Sequence, residues 1–220
     1  MAKRHWSTRI VGVKLFFEND SLPETKKPDS PMRYCEAVNR TMRISNPMLL
    51  DSESISCKAA KEILGLMDCR HCDIGECVRE LVDAGRFTDE SAVVKALSAI
   101  PRLGERPKSI LLSTSGEDSD VYILCLRPEK FMKIVQAYQR IAGDELKLDV
   151  SGVAPVCGNC TVRPYVTNQI CISFGCNDSR QYGGIESDEL VVGIPRKMAG
   201  PIMASFLQME EGRMRNDKQA

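Results

Sequence analysis

Residues 9–17, Arg-Ile-Val-Gly-Val-Lys-Leu-Phe-Phe, form a short run rich in apolar and β-branched side chains. Such a run predicts a buried strand. A charged, proline-bearing stretch from Glu18 to Pro31 follows and reads as a loop. The period then changes. From Met32 onward, Tyr34, Ala37, Val38, Thr41 and Met42 recur every three or four residues, which predicts a helix. Met48 to Ile55 is short and extended. Cys57 to Leu66 reads as a helix carried by Ala59, Ala60, Ile63 and Leu64 and stopped by Gly65. Val78 to Ala84 and Asp89 to Ile100 are two more helices, the second with Thr88 as its cap.

The second half alternates in the same way. Ser109 to Ser113 and Val121 to Leu126 are strands, with a turn at Gly116 to Ser119. Pro128, at a first helical position, opens a helix to Ile141. Gln169 to Phe174 alternates as a strand, Gly183-Gly184 marks a turn, and Val191 to Ile194 is another strand. An amphipathic helix from Lys197 to Glu210 follows, and the polar tail 211–220 is expected to fray. Met67 to Cys77 and Gly152 to Pro164 read as loops, and both carry cysteines. Interleaved strands and helices predict an α/β or α+β fold. The expectation is one mixed-sheet domain over residues 1–220. Its strands near 10–17, 109–113, 121–126 and 169–174 share a sheet.

Composition narrows the function classes. Thirty basic residues balance thirty acidic ones, so the chain has no electrostatic footprint for a phosphate backbone, and no nucleic-acid partner is expected. No stretch approaches the roughly 18 uncharged apolar residues of a membrane helix. Arg9, Lys14, Glu18 and Asp20 interrupt the N-terminal apolar run, which therefore does not read as a secretory signal. A cytoplasmic chain without membrane association is the expectation. In that compartment clustered cysteines point to metal or redox chemistry more than to disulfides.

The chain has ten cysteines, and eight fall into two sets of four. Cys57, Cys69, Cys72 and Cys77 form the first; Cys157, Cys160, Cys171 and Cys176 form the second. Each set holds one Cys-x-x-Cys pair and one Cys-x-x-x-x-Cys pair. Four thiolates complete one iron–sulfur cluster or one zinc ion. Gly75, Gly158 and Gly175 allow the chain to turn around such a group. Zinc is the alternative, with His71 available to join Cys69, Cys72 and Cys77, but zinc ribbons usually present two Cys-x-x-Cys knuckles per site. Cys35 and Cys125 read as buried small hydrophobes, and Cys171, between Ile170 and Ile172, admits that reading too. So many thiols are a liability under oxygen, so an anaerobic host is expected.

Other chemistry is sparse. His5 and His71 are the only histidines, so a Cys–His nucleophile has little to work with. There is no Gly-x-Ser-x-Gly elbow, phosphate loop or dinucleotide fingerprint, and no reaction is assigned. Arg180, four residues after Cys176, is a candidate contact for an anionic ligand, with a surface salt bridge as its alternative.

The order of several anchors resembles the uncharacterised family called domain of unknown function 169. They are Tyr34-Cys35, Ser56-Cys57 with Ala60 and Leu64-Gly65, Asp120-Val121, Pro128, Cys157, Ser173-x-Gly175-Cys176 with Ser179-Arg180, and Gly193-Ile194-Pro195. The resemblance spans residues 32–207 and brings no established activity. It implies that Cys57, Cys157 and Cys176 converge, with Cys69, Cys72 and Cys77 as a cysteine-rich variation. A single site drawn from both halves then competes with two sequential sets. The resulting expectation is a protein with one or more iron–sulfur clusters, [4Fe-4S] in type, passing electrons to a redox partner protein. The alternative is a zinc-stabilised module that binds a small ligand or a partner. Homodimerisation is the default for such a chain.

Overall fold

A six-stranded antiparallel sheet in the order β2-β3-β1-β4-β6-β5 organises the chain. The structure is a computed structural model. It describes residues 9–67, 74–115 and 118–216, and within these the side chains of residues 74, 76, 77 and 210–216 are left aside. The strands are β1 (Arg9–Phe16), β2 (Met48–Leu50), β3 (Ser109–Ser113), β4 (Val121–Leu126), β5 (Cys171–Ser173) and β6 (Leu190–Pro195). All four strand regions expected to share a sheet do so, and the fifth predicted strand, near Val191 to Ile194, joins them as β6. Because every named strand pair is antiparallel, the fold is α+β.

The helices are α1 (Tyr34–Ile44), α2 (Lys58–Ile63), α3 (Ile74–Asp83), α4 (Glu90–Ser98), α5 (Pro128–Ala142), α6 (Arg163–Thr167), α7 (Asn177–Gly183) and α8 (Arg196–Asn216). A π-helix, Pro155–Val162, lies between α5 and α6.

Alternation along the strands sorts side chains onto two faces. Val11, Val13 and Leu15 of β1, Ile110 and Leu112 of β3, Val121, Ile123 and Cys125 of β4 and Val191 of β6 share one core. Tyr34, Val38, Met42, Leu64, Val156 and Cys160, from α1, the α2 region and the π-helix, cover that face. Leu124 and Leu126 of β4, Ile172 of β5 and Leu190, Val192 and Ile194 of β6 point the other way. They meet Phe131, Ile134 and Ala137 of α5 and Ile202 of α8. The sheet therefore has a helical layer on each side.

Three local expectations are corrected, and one helix had no forecast. The α4 cap is Asp89 rather than Thr88: the Asp89 carboxylate accepts from Ala92 N at 2.9 Å, and Thr88 Oγ1 donates to Asp89. The stretch 152–164 is not a loop, since most of it winds into the π-helix and the start of α6. The segment after Cys176 makes α7, which its polar Asn-Asp-Ser composition had hidden. The last helix runs on through Asn216, beyond the end expected at Glu210.

Candidate functional site

The π-helix decides where the second cysteine set goes. It opens at Ala154, a non-glycine residue in the left-handed region at φ 47°. Both Gly158 N and Asn159 N donate to Ala154 O, at 2.9 and 3.0 Å, and Thr161 Oγ1 donates to Val156 O at 2.7 Å. In an α-helix, residues three apart share a face. The wider π turn rotates the second one away. Cys157 accordingly faces Cys57 and Cys35, whereas Cys160 is pressed onto the sheet.

Two sheet features receive Cys160. Gly193 of β6 is paired with Cys171 of β5, and its neighbour Val191 is paired with Cys125 of β4. A Cβ at Gly193 would overlap the Cys160 carbonyl, so β6 accepts the π-helix only because it carries glycine there. Cys160 Sγ lies 3.5 Å from Val191 O, and Cys171 Sγ lies 3.6 Å from Gln169 O. Cys160 and Cys171 are fully buried, and Cys125 nearly so. These three thiols form an interior group between sheet and π-helix.

The remaining described cysteines gather elsewhere. Cys35 lies in the first turn of α1, Cys57 caps α2, Cys157 is on the π-helix and Cys176 caps α7. All four are half-buried. Cys35, Cys57 and Cys157 pack against the same hydrophobic core. Cys176 and Cys57 lie near enough to Cys35, and Cys57 and Cys35 near enough to Cys157, to raise its thiol pKa.

Local geometry fixes each one. Tyr34 is buried, and its hydroxyl is 3.1 Å from Thr161 Oγ1. Because Thr161 spends its proton on Val156 O, Tyr34 is the donor, and α1 is tied to the π-helix beside Cys35. Gly183 of α7 lies against Cys35: a Cβ there would come within 3.2 Å of Cys35 Cβ. Gly184 terminates α7 in the left-handed region, so the Gly183-Gly184 turn is also a packing device.

Cys176 is held by a capping box. Its N–H donates to Ser179 Oγ at 2.8 Å, and Ser179 N donates to Cys176 Sγ at 3.5 Å. Gly175 before it is at φ 82°, and Ser173 Oγ accepts from Gly175 N at 3.1 Å. Arg180 donates to the carbonyls of Glu186 and Glu189, at 2.6 and 3.4 Å, so its role is to hold the approach to β6. Neither contact is a salt bridge or a ligand site. At the outer edge, Arg33 stacks 4.4 Å over the Tyr182 ring, and Arg33 and Arg86 both reach Asp178 at 3.5 Å.

The second sequential set therefore parts: Cys157 neighbours Cys57 and Cys35, and Cys176 neighbours Cys35, while Cys160 sits with Cys171 and Cys125 and keeps Cys157 as a further neighbour. Of the first set, Cys57 is in the converging group. Cys69, Cys72 and His71 lie outside the described residues, as does the side chain of Cys77 in α3. Cys35, read from sequence as a core residue, is the addition. The signal for it was its adjacency to Tyr34 among the family anchors. Among the described residues, no three Cys, His, Asp or Glu side chains already surround a point closely enough to hold a metal ion.

Burial pushes the Cys35 and Cys125 thiols up to about 11 and Cys171 to about 12, and also raises Cys157 and Cys160. The thiols are thus neutral at pH 7. The pKa shifts have a consequence for stability. A group whose folded pKa lies above its unfolded one contributes stability that is complete below the unfolded value and is lost as pH rises through the folded value. For Cys125 that window runs from the ordinary 9.0 to about 11. Urea midpoints should hold up to pH 9 and then fall, and Cys125→Val should flatten the fall. An identical decline in that variant would rule out the contribution.

Sheet, helical layers and converging thiols together define an α+β protein with a cysteine-lined site between α1, α2, the π-helix and α7. The chain belongs to the DUF169 family, described as an uncharacterised ArCR family, whose model matches residues 2–205. It is 26% identical over 191 residues to the uncharacterized protein MJ0308 of Methanocaldococcus jannaschii, covering 84% of this chain and 81% of that one. No solved structure gives a significant match. No helix among the described residues is long and apolar enough to cross a membrane.

Proposed function

We propose that this chain is a thiolate-ligated metalloprotein that carries electrons, with its iron–sulfur centre at the site of Cys57, Cys157 and Cys176. The observation that supports the reading is the convergence itself: cysteines about a hundred positions apart in sequence meet where the groups that most affect one another are thiols. A sulfur-only donor set suits iron–sulfur clusters and zinc over harder ions. Burial holds the Cys157 thiol protonated, and the sulfurs are not yet gathered around one point. Binding must therefore release protons and draw the sulfurs together, as expected where site formation and metal binding are coupled. Metal affinity should rise with pH for the same reason.

An electron carrier also needs an exit. Cys35 and Cys176 are half-buried, and the rim beside them is formed by Arg33, Arg86 and Tyr182. In this reading a redox partner protein docks on that rim, in a reducing cytoplasm. The test is anaerobic purification with iron, sulfide and zinc analysis and a visible spectrum. Brown protein with matching iron and sulfide is the expected result. Colourless protein with stoichiometric zinc would replace electron transfer by the zinc-stabilised binding module. Protein that neither retains nor takes up metal would remove both readings.

A further inference from the structure

We infer that Cys35 is the fourth thiolate donor, which closes a single four-sulfur centre with Cys57, Cys157 and Cys176; the inference rests on the metal-centre reading above. The four cysteines come from four elements, and contacts independent of any metal hold the elements of Cys35, Cys157 and Cys176 together. The Tyr34–Thr161 hydrogen bond sets Cys35 against the π-helix that carries Cys157. The glycine at position 183 lets α7, capped by Cys176, lie on the Cys35 backbone. Cys35, Cys57 and Cys157 border one hydrophobic core.

The other described thiols are poor rivals. Cys125 and Cys171 stand on the sheet, with Cys160 pressed between them and the π-helix. To join the centre they would have to leave a closed interior. By contrast, the four proposed donors are all partly exposed, and binding has only to draw their sulfurs together from outside that interior. Four sulfurs saturate one tetrahedral ion or one cluster, whereas three leave a position open. The ligand class is thus a soft, thiophilic metal ion or cluster bound without an open coordination position.

Cobalt(II) is the probe, because its thiolate charge-transfer absorption grows with the number of sulfur ligands. In the wild-type chain, iodoacetamide labelling mapped by mass spectrometry should show Cys35, Cys57, Cys157 and Cys176 protected together when cobalt is bound. This measurement needs no variant to fold. Cys35→Ser should lower the charge-transfer band by about a quarter, for a four-coordinate site, and weaken cobalt binding at least about tenfold. Cys125→Ser should change neither.

If Cys35 stays reactive in the cobalt form, or Cys35→Ser keeps band and affinity while Cys57→Ser loses them, the fourth-ligand assignment is overturned and the metal reading stands. The same holds if a Cys69→Ser, Cys72→Ser, Cys77→Ser triple variant loses the quarter of the band instead. A wild-type chain that binds no cobalt and no iron overturns both.

Discussion

Gly193→Ala should destabilise the protein by about 3 kcal/mol or more, at the upper end of what overpacking costs. The new methyl would overlap the Cys160 carbonyl oxygen, and it would lie 2.8 Å from the Cys160 carbonyl carbon and 2.7 Å from Pro164 Cγ. Two of these atoms are backbone, so no rotamer change relieves the clash. The π-helix would have to lift off β6. That movement would open the buried seat of Cys160 and shift Cys157 on the next turn. Urea denaturation measures the loss, and thiol labelling shows where it falls. Cys160 should become reactive in the variant at pH 8 while remaining protected in the wild type. A variant with wild-type stability would mean that the π-helix does not sit on β6 as described.

Asn159→Leu should cost about 1–3 kcal/mol, the penalty when a buried acceptor loses a hydrogen-bond partner. Asn159 is only 2% exposed. Its amide donates to Ile172 O at 2.6 Å and to Asp149 O at 3.2 Å, and its side-chain oxygen accepts from Arg163 Nε at 2.9 Å. These contacts fix the amide orientation, because carbonyls require the NH2 side and the guanidinium requires the oxygen. Arg163 would keep Asp149 and the Ala99 carbonyl, so the main penalty falls on the Ile172 carbonyl, the buried partner of the amide. Asn159→Asp separates hydrogen bonding from packing. At neutral pH it sets a carboxylate against two carbonyl oxygens and should be at least as harmful as leucine. In acid the protonated carboxyl can donate once, and part of the stability should return. A midpoint for Asn159→Asp that does not respond to acid would contradict this network.

Both predictions concern the same piece of chain, and that piece was the least legible in the sequence. The strands were readable because they are short apolar runs or alternations bounded by polar turns. Ser109–Ser113 and Val121–Leu126 were placed to the residue. Helices α1 and α5 were readable from their three- and four-residue apolar spacing, and α5 also from Pro128 at its start. Gly152 to Pro164 offered two glycines, two prolines and a Cys-x-x-Cys pair, all of which suggest a loop. Nothing local favours a π-helix over a loop. It exists because its Asn159 reaches the Ile172 carbonyl, its Thr161 bonds Val156 O and accepts from Tyr34 of α1, and Gly193 makes room for it.

The candidate site divides along the same line. Sequence alone determined the inventory: ten thiols, few histidines, no competing catalytic motif, and strand and helix periods sufficient for an α/β or α+β protein. It could not determine which sulfurs are neighbours. Spacing along the chain controls proximity only within a turn or two, and even there it depends on the turn. The π turn sends Cys157 and Cys160 to different surroundings despite their three-residue spacing. Proximity between Cys35, Cys57, Cys157 and Cys176 comes from the register of β4, β5 and β6, which seats the π-helix, and from the close packing of α7 on α1. Those are contacts between residues far apart in the chain, set by which apolar faces are buried together, and only the tertiary structure decides them.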